Sequence, residues 1–255
     1  MNTIYITSEL KHKILNDISY DNKDFLFLIE TIKKIFNENN FIIIKNLDLK
    51  IINFLIKNNI FFKTAYTQIK ETSHISRDIL DHSLKNLYYH CDGDIDLRFY
   101  NYGIIFILND DYLNSTISTI VDINDFISLS FIKKEQMNVF FENVLPYYSK
   151  FKDNIIIKYL SPVKKTENGY IFQFRPRKIF DYYLAHNIQF DNNERELFEK
   201  FINVCTKLEK QIKLEKNDLF LFKNQKILHG RKNLSVALDL NNTIVSRKIL
   251  VSFGY

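Results

Sequence analysis

The chain has no tryptophan, two cysteines, three prolines and five glycines in 255 residues. Cys91 and Cys205 cannot build a disulfide framework, so a reducing compartment is the expected setting. The few glycines and prolines are dispersed, and no repeat or low-complexity linker divides the sequence; we read one domain over residues 1–255. No apolar run approaches the roughly 20 residues that span a bilayer, and no N-terminal stretch has a signal-peptide core. A cytoplasmic protein without membrane contact is expected. A basic stripe interleaved with aromatics is also missing. The formal net charge is +5, but Lys33 and Lys34 lie near Glu30 and Glu38, and Lys207 and Lys210 flank Glu209. Nucleic acid is therefore not an expected partner, and a small-molecule anion suits the charge equally well.

What is present is ordinary for a globular chain: 46% hydrophobic and 25% charged residues, enough at this length for one substantial core. The wealth of Ile, Asn, Lys and Phe reads as compositional bias and carries no function. Phe25, Leu28, Ile29, Ile32, Ile35 and Phe36 recur at helical spacing and predict a helix ending near Asn39-Asn40. The β-branched run Phe41–Ile44 predicts a buried strand, and a second helix is expected over about Asp48 to Lys57. Strands are expected at Leu97–Tyr102 and Ile104–Leu108, separated by Gly103, and at Ile117–Asp122. Around Ser130 the pattern turns helical up to Leu145-Pro146. A further helix starts at Asp191, with Glu194 completing a capping box, and runs through Phe201 and Cys205 to Ile212. Strands at Leu219–Phe222, Ile227–His229 and Lys248–Phe253 close the chain. By periodicity alone the class is α+β.

Three residues carry the chemistry. His90 and Asp92 are i and i+2 in Tyr88-Tyr89-His90-Cys91-Asp92-Gly93, so on an extended strand both point to one face, and Cys91 points to the other as a buried small residue. His229 follows 139 positions later (229 − 90), within Asn224-Gln225-Lys226-Ile227-Leu228-His229-Gly230-Arg231. Two imidazoles and one carboxylate make the facial ligand set of non-haem Fe(II) oxygenases, with positions left open for co-substrate and oxygen. His12, His74, His82 and His186 fall in no such pattern and read as surface or structural.

His90-Cys91-Asp92-Gly93 and Asn224 to Arg231 resemble the paired "H-T-D/E" and "N-x-x-x-x-H-G-R" motifs of the TauD/TfdA and clavaminate-synthase-like branch of the Fe(II)/2-oxoglutarate-dependent dioxygenases. Leu214 to Asn224 is similar to that family's "L-x-x-G-D-L-L-x-x-D-N" lead-in, with Asn217 at the glycine position. Ile35 to Leu47 is similar to its early "G-F-V-x-x-R-G-L" strand. The resemblance covers about residues 25 to 255, and only the two metal motifs are specific.

The resemblance implies a double-stranded β-helix, a cupin-like jelly roll with flanking helices. It implies Fe(II), 2-oxoglutarate as co-substrate and O2, with His90, Asp92 and His229 as metal ligands. The retained carboxylate of Asp92 favours hydroxylation or desaturation over halogenation. The family's arginine for the distal 2-oxoglutarate carboxylate is matched by Arg247, 18 positions beyond His229 (247 − 229); arginine suits a carboxylate because its planar fork donates two parallel hydrogen bonds. An alternative alignment puts Thr243 there and makes Arg247 the substrate-facing arginine, since Val251 stands where a second arginine often lies. Ser118 or Thr119, in Ser115 to Asp122, matches a hydroxyl beside the same carboxylate, without the family's glycines. Arg231 and one of Tyr88 and Tyr89, by preference Tyr89, are candidates for the substrate pocket. Arg98, Arg175 and Arg177 are candidates for an anionic substrate. The implied substrate is a small polar molecule, an amino acid or amino-acid derivative; the alternative is a cupin-like protein that binds metal and 2-oxoglutarate without turnover.

Overall fold

The computed structural model describes residues 2–71, 87–94, 96–111, 113–129, 134–234, 237–238 and 244–255. The chain opens with β1 (Thr3–Tyr5), α1 (Ser8–Asn16), α2 (Lys23–Glu38), β2 (Phe41–Lys45) and α3 (Leu49–Lys57). Four strands follow: β3 (Thr64–Glu71), β4 (Leu87–His90), β5 (Tyr102–Asn109) and β6 (Ile117–Asp122). Next come α4 (Ile123–Ile127), α5 (Lys134–Glu142), β7 (Leu145–Phe151), β8 (Asn154–Leu160), β9 (Val163–Thr166) and β10 (Gly169–Phe172). Helices α6 (Pro176–His186) and α7 (Asn192–Leu208) precede β11 (Lys210–Ile212), β12 (Leu219–Lys223) and β13 (Ile227–Lys232). The short pair β14 (Ala237–Leu238) and β15 (Ile244–Val245) leads to β16 (Lys248–Gly254).

Two sheets form the centre, in the orders β1-β2-β12-β5-β16-β3 and β11-β6-β13-β4. Their pairings are antiparallel except that of β1 with β2. Side-chain alternation sorts each strand between two cores. Phe220 and Phe222 of β12, Phe41 and Ile43 of β2 and Val251 and Phe253 of β16 join Ile120 of β6 and Ile227 of β13 between the sheets. Leu219, Leu221, Ile42, Ile44 and Leu250 face the other way, onto α1, α2 and α3. On the outer side of the smaller sheet, Tyr89, Cys91, Val121 and Leu228 pack against α4, α5, α6 and α7. The result is a mixed α/β arrangement in which a sheet pair is covered by helices on both sides. Phe41–Ile44 reads as an unbroken apolar run because both of its faces are covered. Both cysteines are free and buried. Among the described residues, no helix is long and apolar enough to cross a membrane.

Several boundaries differ from the sequence reading. Gly103 does not separate two strands but lies inside β5, where a Cβ would come within 2.4 Å of the Phe222 ring. Leu97–Tyr100 is not a strand: Leu97 has a φ of 58° and only Phe99 bridges, to Gly93. Ser130 lies outside the described residues, between α4 and α5, and Leu145-Pro146 opens β7. Asp191 caps α7 through the Asn193 N–H, but Glu194 accepts from the Tyr183 hydroxyl instead of closing the box. The helix stops at Leu208 because Lys210–Ile212 pairs with β6.

The asparagine at the lead-in's glycine position has a conformational reason. Asn217 adopts a φ of 71°, a region that asparagine tolerates better than other side chains. Its N–H donates to the Ile107 carbonyl at 2.8 Å, and its carbonyl accepts from the Leu47 N–H at 2.7 Å. Asp218, buried next to it, accepts from the Glu215 N–H at 2.7 Å and the Lys45 ammonium at 2.5 Å. This turn ties β2, β12 and β5 together. Asn217→Ala should lower unfolding stability by about 1–2 kcal/mol, whereas Asn217→Gly should stay within roughly 0.5 kcal/mol of the parent, as read from urea-denaturation midpoints at constant m-value.

Candidate metal centre

Strand β13 lies between β6 and β4 and pairs His229 with His90 across the ladder. The two imidazole centroids are 4.3 Å apart. Asp92, two residues past His90, brings its carboxylate to the same point: Oδ2 is 3.0 Å from His229 Nε2 and Oδ1 is 3.9 Å from His90 Nε2. One ligand atom from each residue falls within 4.8 Å of the others. Asp92 Oδ2 and His229 Nδ1 are buried polar atoms without a hydrogen-bond partner among the described residues.

His90 Nδ1 lies 2.9 Å from the Tyr88 carbonyl. A carbonyl only accepts, so Nδ1 donates in this contact, which orients the ring with Nε2 toward Asp92 and His229, as an outer partner does for a metal-binding histidine. The His229 ring is set edge-on to Phe222, centroids 4.8 Å apart. Burial by itself would raise the Asp92 carboxyl, but contact with His229 and the charges of His229, His90 and Lys70 outweigh it and hold the group well below the usual carboxylate range.

Asn224 positions Asp92. Its fully buried side-chain oxygen accepts from the Asp92 N–H at 2.9 Å, and its amide nitrogen donates to the carbonyls of Asp92 and Tyr100, both at 2.8 Å. Gly230 serves the approach of β13 to β4: a Cβ there would meet the Leu87 carbonyl at 2.7 Å and Thr119 Oγ1 at 2.8 Å.

The side chains of His90, Asp92 and His229 open on a cavity of about 160 Å³. Ile105, Ile249, Val251 and Phe253 form an apolar wall; Lys70, Ser118, Arg231, Arg247 and the first turn of α6 add polar groups. Ser118 is opposite Arg231 in the β6–β13 ladder. Arg247, buried just before β16, donates to the Leu214 carbonyl at 3.4 Å. Burial, and then the like charge of Arg231, push its guanidinium down to about 10 against the pull of Asp111, Asp110 and Asp218.

Two sequence expectations are corrected here. Tyr89 does not face the cavity: it is buried in the outer core with its hydroxyl on Glu209, and burial followed by that bond raises its pKa. Tyr88 lines the cavity, since it shares a strand face with His90. Thr119 likewise points away from the neighbouring Ser118, against Gly230. Arg98 pairs with Asp94 and Asp96 at the surface, while Arg175 and Arg177 line the cavity. His12 and His186 are exposed; Thr243, His74 and His82 lie outside the described residues. Lys70 and Lys178 were missed. Lys70 sits on a strand with no apolar alternation to reveal it; Lys178 closes the run Arg175-Pro176-Arg177-Lys178, whose charge density was the available signal.

Comparison with solved structures places this geometry in context. A structure of asparagine oxygenase with Fe(II), 2S,3S-3-hydroxyasparagine and succinate superposes with a TM-score of 0.71, at 7% identity, over 100% of this chain and 93% of that one. The chain shares its fold. Non-heme iron oxygenase OrfP with Fe and alpha-ketoglutaric acid gives 0.65 at 10% identity, over 100% and 93% of the two chains. OrfP with Fe, succinate and (3R,4R)-dihydroxy-L-Arg gives 0.65 at 12% identity, over 100% and 94%. No protein-family profile and no curated protein sequence matches the chain.

Removing the Asn224 amide leaves the Asp92 N–H and two carbonyls without partners. Asn224→Ala should weaken Mn(II) binding, followed by electron paramagnetic resonance, by about 10- to 100-fold. Unchanged affinity would mean that Asp92 is positioned without it.

Proposed function

We propose that residues 1–255 form a single Fe(II)- and 2-oxoglutarate-dependent oxygenase domain of the TauD/TfdA and clavaminate-synthase-like type, with its sheet pair as a double-stranded β-helix. It hydroxylates or desaturates a small polar molecule, an amino acid or amino-acid derivative, with release of succinate and CO2. The reading carries with it a cytoplasmic location. The observation that carries it is the convergence of His90, Asp92 and His229 at the mouth of a cavity that also holds Arg247. The described fold supports the assignment, and so do the Fe(II), succinate and hydroxylated amino acids named for the similar asparagine oxygenase and OrfP structures.

The donor set fits the metal. Two imidazole nitrogens and one carboxylate suit Fe(II) and leave part of its coordination sphere open. Bound there, Fe(II) supplies the oxygen activation that couples decarboxylation of 2-oxoglutarate to substrate oxidation. The protein's own part is orientation and exclusion of water. Arg247 takes the distal carboxylate of 2-oxoglutarate through its fork, and Ser118 contributes a hydroxyl. Arg231 adds positive charge to that end. Ile105, Ile249, Val251 and Phe253 keep one wall dry. Asp92 stays an ionised ligand and takes no proton.

Anaerobic addition of Fe(II) and 2-oxoglutarate should produce a weak visible absorption band in the parent and none in His229→Ala. Arg247→Leu should raise the 2-oxoglutarate concentration needed for half the band by about 10- to 100-fold, the loss of a charge-assisted bidentate contact. Asp92→Ala should abolish substrate-coupled succinate formation. A folded parent without the band refutes the assignment.

A further inference from the structure

The turn that carries Asp92 is held from two places. Asn224, ahead of β13, engages the Asp92 N–H and carbonyl. The second hold comes from the segment that opens α6. The Cys91 N–H donates to the Phe174 carbonyl at 2.8 Å. The next residue, Arg175, donates through Nη2 to the Gly93 carbonyl at 3.0 Å and through Nη1 to the Asp94 carbonyl at 3.1 Å. One guanidinium thus grips two successive carbonyls, a geometry that suits arginine's planar fork and not the point charge of a lysine.

Local sequence explains why Arg175 is available for this. Pro176 opens α6, and the residue before a proline is kept out of the helical region; Arg175 has φ −138° and ψ 84°. Its carbonyl accepts from the N–H groups of Lys178 and Ile179, at 3.0 and 3.3 Å, so its backbone is committed to the first helical turn. Its side chain makes no capping bond and leaves the helix for the Asp92 turn. The support behind it is packed. Phe174 is fully buried with its ring centroid 4.5 Å from that of Phe201, and Ile179 is fully buried in the same core.

Gly93 is fitted to this fork. A Cβ there would come within 2.7 Å of Arg175 Nη1 and 2.4 Å of the Arg98 carbonyl. That carbonyl accepts from the Asp94 N–H at 2.8 Å. Neither neighbour can withdraw without giving up a hydrogen bond to the turn. The glycine of His90-Cys91-Asp92-Gly93 is therefore matched to a residue 82 positions away (175 − 93).

We infer that Arg175 is a positioning residue for the Asp92 carboxylate, and that Gly93 admits its guanidinium. The inference rests on the metal reading of His90, Asp92 and His229. Without the fork, the Gly93 and Asp94 carbonyls lose these donors, and the turn relaxes away from the two histidines.

The test is titration of the metal-free protein with Mn(II), followed by electron paramagnetic resonance, for the parent, Arg175→Met, Arg175→Lys and Arg98→Gln. Met keeps an unbranched stem without donors, and Lys keeps the charge without the fork. The Arg98 side chain pairs with those of Asp94 and Asp96 at the surface and serves as a control on the same turn. Arg175→Met should weaken Mn(II) binding by about 10- to 100-fold, and Arg175→Lys should recover only part of the loss. Arg98→Gln should stay within about twofold of the parent. The spectrum of Mn(II) bound to Arg175→Met should also change shape, because a displaced carboxylate alters the ligand field; a loss of global stability alone leaves the spectrum of the bound ion as it was. Parental affinity and spectrum in either Arg175 variant overturn the proposal, as does an equal weakening in Arg98→Gln. Should thermal melting show that Arg175→Met does not fold, Arg175→Lys decides on the same two readouts. A parent that binds no Mn(II) overturns the metal reading itself, and is told apart because it shows before any variant is made.

Discussion

The pairing of β4 with β13 is the constraint on which the site depends. It sets His229 opposite His90, residues far apart in sequence, and it works only in one register. A slip of one residue would turn His229 into the outer core and bring Leu228 or Gly230 to the cavity. Two features hold that register. Gly230 lets β13 pass close to the Leu87 carbonyl where any side chain would collide. Asn224, a few residues before β13, clamps the backbone of Asp92 with hydrogen bonds in both directions. Asp92 is therefore tied to the segment that leads into β13, the strand that carries His229. Local sequence places His90 and Asp92 on one face, and the fold closes the set.

The cavity behind the ligands works against the rest of the molecule. Arg247 is buried with Arg231 beside it, and burial and like charge both press its guanidinium toward deprotonation. The acids that oppose this, Asp110, Asp111 and Asp218, belong to neighbouring turns, and Asp218 is already committed to Lys45 and the Glu215 N–H. A buried charge with incomplete compensation is destabilising, by several kcal/mol in the general case. The apolar cores on either side of the sheets supply the stability that tolerates it. Departures from local rules tend to gather where a protein binds or reacts; here they gather at Arg247, at the start of α6 and at the Asp92 carboxylate.

Much of this could be read in the sequence, because the readable parts obey short-range periodicity. His90 and Asp92 at i and i+2, the apolar run Phe41–Ile44 and the strands at Leu219 and Lys248 all follow from side-chain alternation. The same rule, applied to positions 88 to 90 and to the β6–β13 pairing, selects Tyr88 over Tyr89 and Ser118 over Thr119. What could not be read comes from tertiary context. β3 presents Thr64–Glu71 largely to solvent on both faces, so it has no apolar alternation and its Lys70 had no frame. α7 ends where β11 finds a partner in β6, which no cap at Leu208 announces. Gly103 looks like a strand breaker until the Phe222 ring is seen to occupy the space of its side chain.

A cavity with this charge distribution couples ligand binding to folding. Arg231 presses on Arg247 as a like charge, and Arg175 and Arg177 press on Lys178. A dianion such as 2-oxoglutarate, placed against Arg231 and Arg247 as proposed, would offset the first of these. Such a ligand binds the folded chain and not the unfolded one, so it adds stability in proportion to the logarithm of its saturation. Arg247 is enclosed, and Arg175 is held by backbone carbonyls, so neither guanidinium is free to swing away from the cavity. On the proposed oxygenase reading, that rigid placement of charge is what would hold the anionic co-substrate beside His90, Asp92 and His229.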